Sequence, residues 1–154
     1  MTPERLFSLC NSFALIGWLI LIFAGRMRWA ARLVAAVIIP LVIAILYAFL
    51  IAAHWGETPG GFGTLDGVTA LFSNRWLLLA GWIHYLAFDL FIGSWEVRDA
   101  QTIGVSHFIV IPCLAVTFMF GPAGLLLYFV IRTARTKSLA IGSDGSTGWS
   151  RTVK

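Results

Sequence analysis

Four long apolar stretches, separated by short polar connections, dominate the pattern of residues along the chain. A helix that crosses a bilayer needs about 20 mostly apolar residues. Residues 6–24, 33–53 and 108–131 reach or approach this length, and residues 76–92 form a shorter fourth stretch. The pattern therefore predicts an all-α integral membrane protein, in which a four-helix transmembrane bundle occupies residues 1–137.

The last apolar stretch carries two helix-breaking features. Pro112 lies inside it, and residues 121–124 read Gly-Pro-Ala-Gly. Membrane helices tolerate proline where neighbouring groups satisfy the freed carbonyls. We expect residues 121–124 either to bend the fourth helix or to let another backbone approach closely.

The connections between the stretches differ in character. Residues 54–75 are rich in glycine, but Thr64 precedes four apolar residues at helical spacing, Leu65, Val68, Leu71 and Phe72. This pattern predicts an N-capped short helix that lies at the membrane interface. We expect residues 93–104, which carry Glu96 and Asp99, to form the third connection.

The composition supports the membrane assignment. Hydrophobic residues make up 59% of the 154 residues and charged residues 12%, with a mean hydropathy of +0.87. Soluble domains carry roughly 25% charged residues. A disordered chain of this composition would leave too much apolar surface in water. The net charge of +4 comes from basic residues beside the apolar stretches, where they contact lipid headgroups, so nucleic acid is not expected as a partner. Residues 138–154 are polar and predict a disordered tail.

Asp89 is the most informative residue because it lies inside an apolar stretch. A charged side chain at mid-membrane costs about 2.5–3.5 kcal/mol on insertion scales, so such residues usually face the bundle interior and usually function. The apolar stretch ends three residues later, so we expect Asp89 to lie about one turn from the membrane border, which lowers this cost. The alternative is an aspartate that reaches the interface or pairs with an arginine.

A seven-residue spacing links Asp89 to other polar residues. Arg75, Trp82, Asp89 and Glu96 are each seven apart, and Tyr85 precedes Asp89 by four. If the helix continues past residue 92, Asp89 and Glu96 lie on one face about 10 Å apart. The alternative is an ordinary packing face with Arg75 and Glu96 anchored at the interfaces.

Two histidines could also carry chemistry. His84 lies about 140° around a straight helix from Asp89, so the two cannot form a dyad within it. His84 is either a catalytic or ligand-binding group or is hydrogen-bonded to a neighbouring helix. His107 begins the fourth helix and either relays protons or serves only as a helix start. The alternatives are a metal site formed by both histidines with the nearby acidic residues, or a b-type haem between the two histidines. Their spacing matches no common metal motif, so we expect neither a metal nor another cofactor.

Several aromatic residues lie deep in the apolar stretches. Trp18, Trp82, Phe88 and Phe91 could line a groove for a long, flat, apolar ligand, although core packing explains them nearly as well. Other tryptophans fall at the predicted membrane borders, as an aromatic belt requires.

Three stretches carry a specific pattern: 81–93 (GWIHYLAFDLFIG), 95–100 (WEVRDA) and 118–126 (FMFGPAGLL). They resemble the signature of the neoxanthin synthase-like family, and Asn11 also fits. The resemblance implies a four-helix membrane protein that acts on carotenoids, since the plant members are required for converting violaxanthin to neoxanthin. That isomerisation opens an epoxide, removes a neighbouring proton and leaves an allene and a tertiary alcohol. It is redox-neutral, so it needs an acid and a base but no electron carrier.

The chemistry implied by the resemblance suggests roles for the polar residues. We expect Asp89 and His84 to be catalytic, supported by Glu96, Asp99 and His107. The residues expected to bind the substrate are Trp82, Tyr85, Phe88, Phe91, Trp18 and Asn11. The alternative function is a non-catalytic carotenoid- or lipid-binding protein, or a structural membrane subunit.

The expected partners are a carotenoid or another apolar isoprenoid and the lipid bilayer. The sequence leaves open a homo-oligomer or a partner membrane enzyme. The first residues do not form a transit peptide, so we expect the bacterial inner membrane, or a plastid membrane if the chain is from a plant.

Overall fold

The computed structural model describes residues 2–27 and 29–141, and within them it contains helices and no strand. The order of the elements is α1 (Pro3–Ala24), a π-helical segment (Ala30–Ile38) that continues into α2 (Ile39–His54), a 3₁₀ turn (Trp55–Glu57), α3 (Leu65–Ser73), α4 (Arg75–Ile103), α5 (His107–Phe120) and α6 (Pro122–Thr136). The predicted tail falls outside these residues from position 142 onward.

Three helical stretches are long and apolar enough to cross a membrane: Pro3–Ala24, Leu33–Glu57 and Arg75–Ile103. The fourth apolar stretch is divided into α5, with 14 residues, and α6, with 15. Each half is shorter than a spanning helix requires. The all-helical class is thus confirmed, with three candidate membrane-spanning helices, but a four-helix transmembrane bundle is not.

The division of the last stretch occurs at Gly121. Its backbone has φ 45° and ψ −100°, a conformation that favours glycine, and it ends α5. Pro122 then begins α6, where its missing N–H is not needed. The bend expected at residues 121–124 is confirmed, and it is sharp enough to make two helices.

The longest helix, α4, differs from its sequence prediction. It begins after Asn74, whose Oδ1 accepts the N–H of Trp76 at 2.8 Å, and it ends at Gly104, which has φ 71°. The prediction of a connection at residues 93–104 was wrong, because these residues belong to α4 up to Ile103. Gly93 packs against the Trp18 ring and does not break the helix. Asp89 therefore lies at the midpoint of α4.

The core forms around α4, which packs against α1, α2, α5 and α6. Leu21, Ile83, Leu90 and Leu114 are fully buried at these contacts. Burial of this kind stabilises a membrane protein mainly through close packing, since lipid is as apolar as leucine.

The short helix predicted before the third stretch is confirmed as α3. Thr64 caps it, and its Oγ1 accepts the backbone N–H of Gly67 at 3.0 Å. Leu71 is buried, whereas Leu65 at the start of the helix is exposed. One side of α3 therefore packs on the protein.

The contact between α5 and α6 predicts the effect of one substitution. A Cβ at Gly124 would collide with the Thr117 backbone nitrogen and hydroxyl. Since overpacking costs about 1–3 kcal/mol, we expect Gly124→Ala to lower the free energy of unfolding by that amount. A denaturant titration of the protein in detergent micelles measures the change.

A matched control is Gly61→Ala, because a Cβ at Gly61 meets nothing within 4 Å. We expect this variant to unfold like the unmodified protein. Equal stability of the Gly124 and Gly61 variants would contradict the close approach of α5 and α6.

Candidate functional site

Three carboxylic acids lie along the side of α4 that packs on α5 and α6, and we call Asp89, Glu96 and Asp99 the acidic face. Asp89 is 9% exposed and Glu96 is 0% exposed. Because α4 continues past residue 92, Asp89 and Glu96 do share a face, separated by about 10 Å along the helix.

The Asp89 carboxyl packs directly against the junction of α5 and α6. A Cβ at Gly121 would lie 2.8 Å from Asp89 Oδ1, so only a glycine leaves room for the carboxyl there. Asp89 Oδ2 is buried and has no hydrogen-bond partner within the part of the chain that the structure describes. No arginine pairs with Asp89 among the described residues. A buried oxygen without a partner is costly unless it binds something else.

Aromatic and polar side chains from α1, α4 and α5 form a series of contacts that reaches Asp89 through Tyr85. The Tyr85 hydroxyl is a neighbour of the Asp89 carboxyl, and it donates a hydrogen bond to the Phe118 carbonyl at 3.3 Å. The Trp82 Nε1–H donates to Asn11 Oδ1 at 3.1 Å. We call the set Asn11, Trp18, Trp82, Tyr85 and Phe118 the aromatic surface.

Ring contacts connect the members of the aromatic surface. The Trp82 and Tyr85 rings stack with centroids 5.3 Å apart, and the Trp18 and Phe118 rings meet edge-on at 5.5 Å. Trp82 is 40% exposed and Phe118 is 38% exposed. Tyr85 therefore links the buried Asp89 carboxyl to an aromatic surface that is partly exposed.

Glu96 is enclosed more completely than Asp89. The Thr117 hydroxyl donates to Glu96 Oε1 at 2.9 Å, while Oε2 is buried without a partner among the described residues. Thr117 is itself held against Gly124. Glu96 thus fixes the end of α5 relative to α4 and does not reach the protein surface.

Asp99 belongs to a buried network that the sequence did not predict. Asp99 Oδ2 accepts hydrogen bonds from the Tyr128 hydroxyl at 2.7 Å and from Arg132 Nε at 2.9 Å. The Arg132 side chain is only 3% exposed. The partners lie about 30 residues apart on different helices, so no local spacing reveals them. The excess of cations near residue 132 was the only available signal.

The structure does not bring the histidines to Asp89. The exposed His84 imidazole contacts the Tyr47 ring at 5.6 Å and stacks on Phe88 at 4.5 Å, on another side of α4. Phe91, like Phe88, lines a groove towards α2. His107 Nε2 lies 2.9 Å from the Ile22 carbonyl and so holds the last turn of α1. Of the expected substrate-binding residues, Trp82, Tyr85, Trp18 and Asn11 share one surface, whereas Phe88 and Phe91 lie elsewhere.

The arrangement around Asp89 suits proton transfer to an apolar substrate. A carboxyl has two oxygens that can donate or accept a proton, and a phenol lies beside it. Within the described residues, no group of three or more His, Cys, Asp or Glu side chains is placed to hold a metal ion.

Comparison with known proteins gives one match. A family model described as ABA4-like, ABA DEFICIENT 4-like, matches residues 5–128, which include Asn11, Asp89, Glu96 and Gly121. The matched range ends before Arg132. No curated protein and no solved structure matches the chain.

Proposed function

Since the chain belongs to the ABA DEFICIENT 4-like family, we propose that it is a membrane isomerase that opens an epoxide on a carotenoid or a related isoprenoid. The family implies a role in carotenoid metabolism related to neoxanthin. The observation that carries the more specific proposal is the Asp89 carboxyl, which is buried beside Tyr85 and has one oxygen without a hydrogen-bond partner among the described residues.

Asp89 supplies both proton transfers in the proposed reaction. The protonated carboxyl gives its proton to the epoxide oxygen as one carbon–oxygen bond breaks. The neighbouring vinylic carbon loses its proton to the other carboxyl oxygen, and that electron pair forms the second double bond of the allene. The epoxide oxygen stays on the product as a tertiary alcohol. The carboxyl is protonated again at the end, so no proton, electron or water is consumed.

The geometry favours this use of one carboxyl. The epoxide oxygen and the vinylic proton are close together on the substrate, so a single group can reach both when the ring is held against it. The Tyr85 hydroxyl lies beside the carboxyl and positions it. His84 has no part in this proposal, because its face of α4 is about 140° away.

The aromatic surface provides the substrate site in this proposal. Trp82 and Phe118 present apolar rings to the bilayer, and the buried Trp18 ring packs edge-on against Phe118. A rigid polyene is soluble in the same bilayer, so it reaches this surface without passing through water. Glu96 and Asp99 do not touch the substrate and instead hold α5 and α6 in place around Asp89.

A turnover experiment tests the proposed function. The purified protein in lipid nanodiscs is incubated with violaxanthin, or with zeaxanthin, which has the same skeleton without the epoxides. We expect violaxanthin alone to give a product of unchanged mass and altered chromatographic retention. Binding of violaxanthin without conversion would instead indicate a carrier, and neither binding nor conversion would contradict the proposal.

A further inference from the structure

A second cavity, of about 220 Å³, lies on the side of α4 away from the acidic face. It is enclosed by α2, α3, α4 and the connection before α3. Its walls include Tyr47, Phe62, Leu71, Phe72, Gly81 and His84. An apolar cavity of about 150 Å³ is enough to hold benzene, so this cavity can hold a substituted six-membered ring.

The walls combine aromatic rings with two polar groups. The Tyr47 and His84 rings are in contact at 5.6 Å, but neither the hydroxyl nor the imidazole has a hydrogen-bond partner among the described residues. Tyr47 is half-buried and His84 is exposed, so a ligand can reach both polar groups. These two groups are therefore available to an oxygen atom on a bound ring.

A glycine shapes the cavity on the α4 side. A Cβ at Gly81 would lie 3.2 Å from the Phe72 ring, so the glycine lets Phe72 of α3 close over the site. Phe62, which is in ring contact with Trp55, closes it from the preceding connection.

An apolar groove of about 350 Å³ lies next to this cavity along α2 and α4. It is lined by small residues and two phenylalanines, among them Ala36, Pro40, Ala44, Ala87, Phe88 and Phe91. His84 lines the cavity and Phe88 lines the groove, and the two rings stack at 4.5 Å, so the two spaces are neighbours. From Gly81 to Phe91 the two together follow about 15 Å of α4.

We propose that the cavity and the groove together bind a second ligand, whose oxygen-bearing six-membered ring lies between Tyr47 and His84 and whose isoprenoid tail lies along Phe88 and Phe91. The unpartnered hydroxyl and imidazole select the ring oxygen, and the groove selects the apolar tail. A hydroxylated carotenoid and an isoprenoid quinone both have this chemistry. The site faces away from Asp89, so this inference does not depend on the proposed reaction.

The test compares zeaxanthin with β-carotene, which differ only in the ring hydroxyl groups, and includes decylubiquinone as a quinone. The protein in nanodiscs is equilibrated with zeaxanthin, with β-carotene, which lacks the hydroxyl groups, or with decylubiquinone, and the retained ligand is quantified by mass. We expect one oxygenated ligand to bind about five- to tenfold more tightly than β-carotene, as one added hydrogen bond implies. Tighter binding of zeaxanthin would identify the ligand as a hydroxylated carotenoid, and tighter binding of decylubiquinone would identify it as a quinone.

Tyr47→Phe removes only the hydroxyl group and is expected to abolish this preference. Thr69→Val removes a hydroxyl group from α3 outside the cavity lining and is expected to keep the preference. If Tyr47→Phe lowers the thermal midpoint, His84→Leu provides the same test.

Equal binding of zeaxanthin, β-carotene and decylubiquinone would overturn the proposal, because the groove would then hold any apolar chain. An unchanged preference in both the Tyr47 and His84 variants would overturn it as well. If the protein showed this binding preference but did not convert violaxanthin, only the proposed reaction would be contradicted.

Discussion

Asp89→Asn is expected to lower the rate of epoxide isomerisation by at least about 10³-fold while leaving the protein folded. Asparagine matches aspartate in size, so it fits against Gly121 as the carboxyl does. Its amide cannot give a proton to the epoxide oxygen or take one from the vinylic carbon. A single positioned proton transfer contributes about 10²–10⁴-fold, and here one residue supplies two. Single-turnover conversion of violaxanthin in nanodiscs measures the loss.

Glu96→Gln is the matched comparison for this variant. It makes the same chemical change two turns further along α4, and glutamine keeps the hydrogen bond from Thr117. Because Glu96 is enclosed and does not touch the substrate, we expect the Glu96→Gln variant to convert violaxanthin at a rate within about tenfold of the unmodified protein. If Asp89→Asn retained its rate while Glu96→Gln lost it, the assignment of the proton transfers to Asp89 would be wrong.

Arg132→Met is expected to lower the free energy of unfolding by about 3–5 kcal/mol. It removes the cation from the pair with Asp99 and leaves a carboxylate that is mostly buried and only partly satisfied by Tyr128. Removing one member of a buried pair carries this cost because the remaining charge is uncompensated. A denaturant titration in micelles, followed by circular dichroism, measures it.

The exposed pair of Glu4 and Arg75 provides the control. Its side chains are 53% and 74% exposed, so Arg75→Met is expected to change stability by less than about 1 kcal/mol. Adding Asp99→Asn to Arg132→Met is expected to restore part of the loss, since it removes the orphaned charge. Equal effects of Arg132→Met and Arg75→Met would show that the Asp99 network contributes nothing.

Local patterns predicted much of the fold. The apolar stretches identified α1, α2 and α4, and Thr64 with its four apolar followers identified α3. The extent of α4 was not predictable, because a run of Glu, Arg and Asp after residue 92 resembles a loop. Those charged residues are helical because Val97 and Ala100 pack in the core and Asp99 pairs with Arg132. Both are tertiary contacts, which the local sequence does not reveal.

The candidate site was predicted in part for the same reason. The seven-residue spacing placed Asp89, Glu96 and Trp82 correctly on related faces of one helix, because helical geometry is local. The contact of Asp89 with Gly121 joins residues 32 apart and depends on the break between α5 and α6. The spacing of Phe88 and Phe91 relative to Trp82 already places them on a different face of α4. The sequence did not predict which neighbouring helix packs against each face.

The fate of the epoxide oxygen tests the isomerase account most directly. Violaxanthin is converted by the protein in nanodiscs suspended in water enriched in ¹⁸O, with Asp89→Asn as the parallel sample. We expect a product of the same mass as the substrate, without ¹⁸O, that forms only with Asp89 present. A product that gains water and carries ¹⁸O would show hydrolysis, and an unlabelled product formed equally by Asp89→Asn would contradict the role of Asp89.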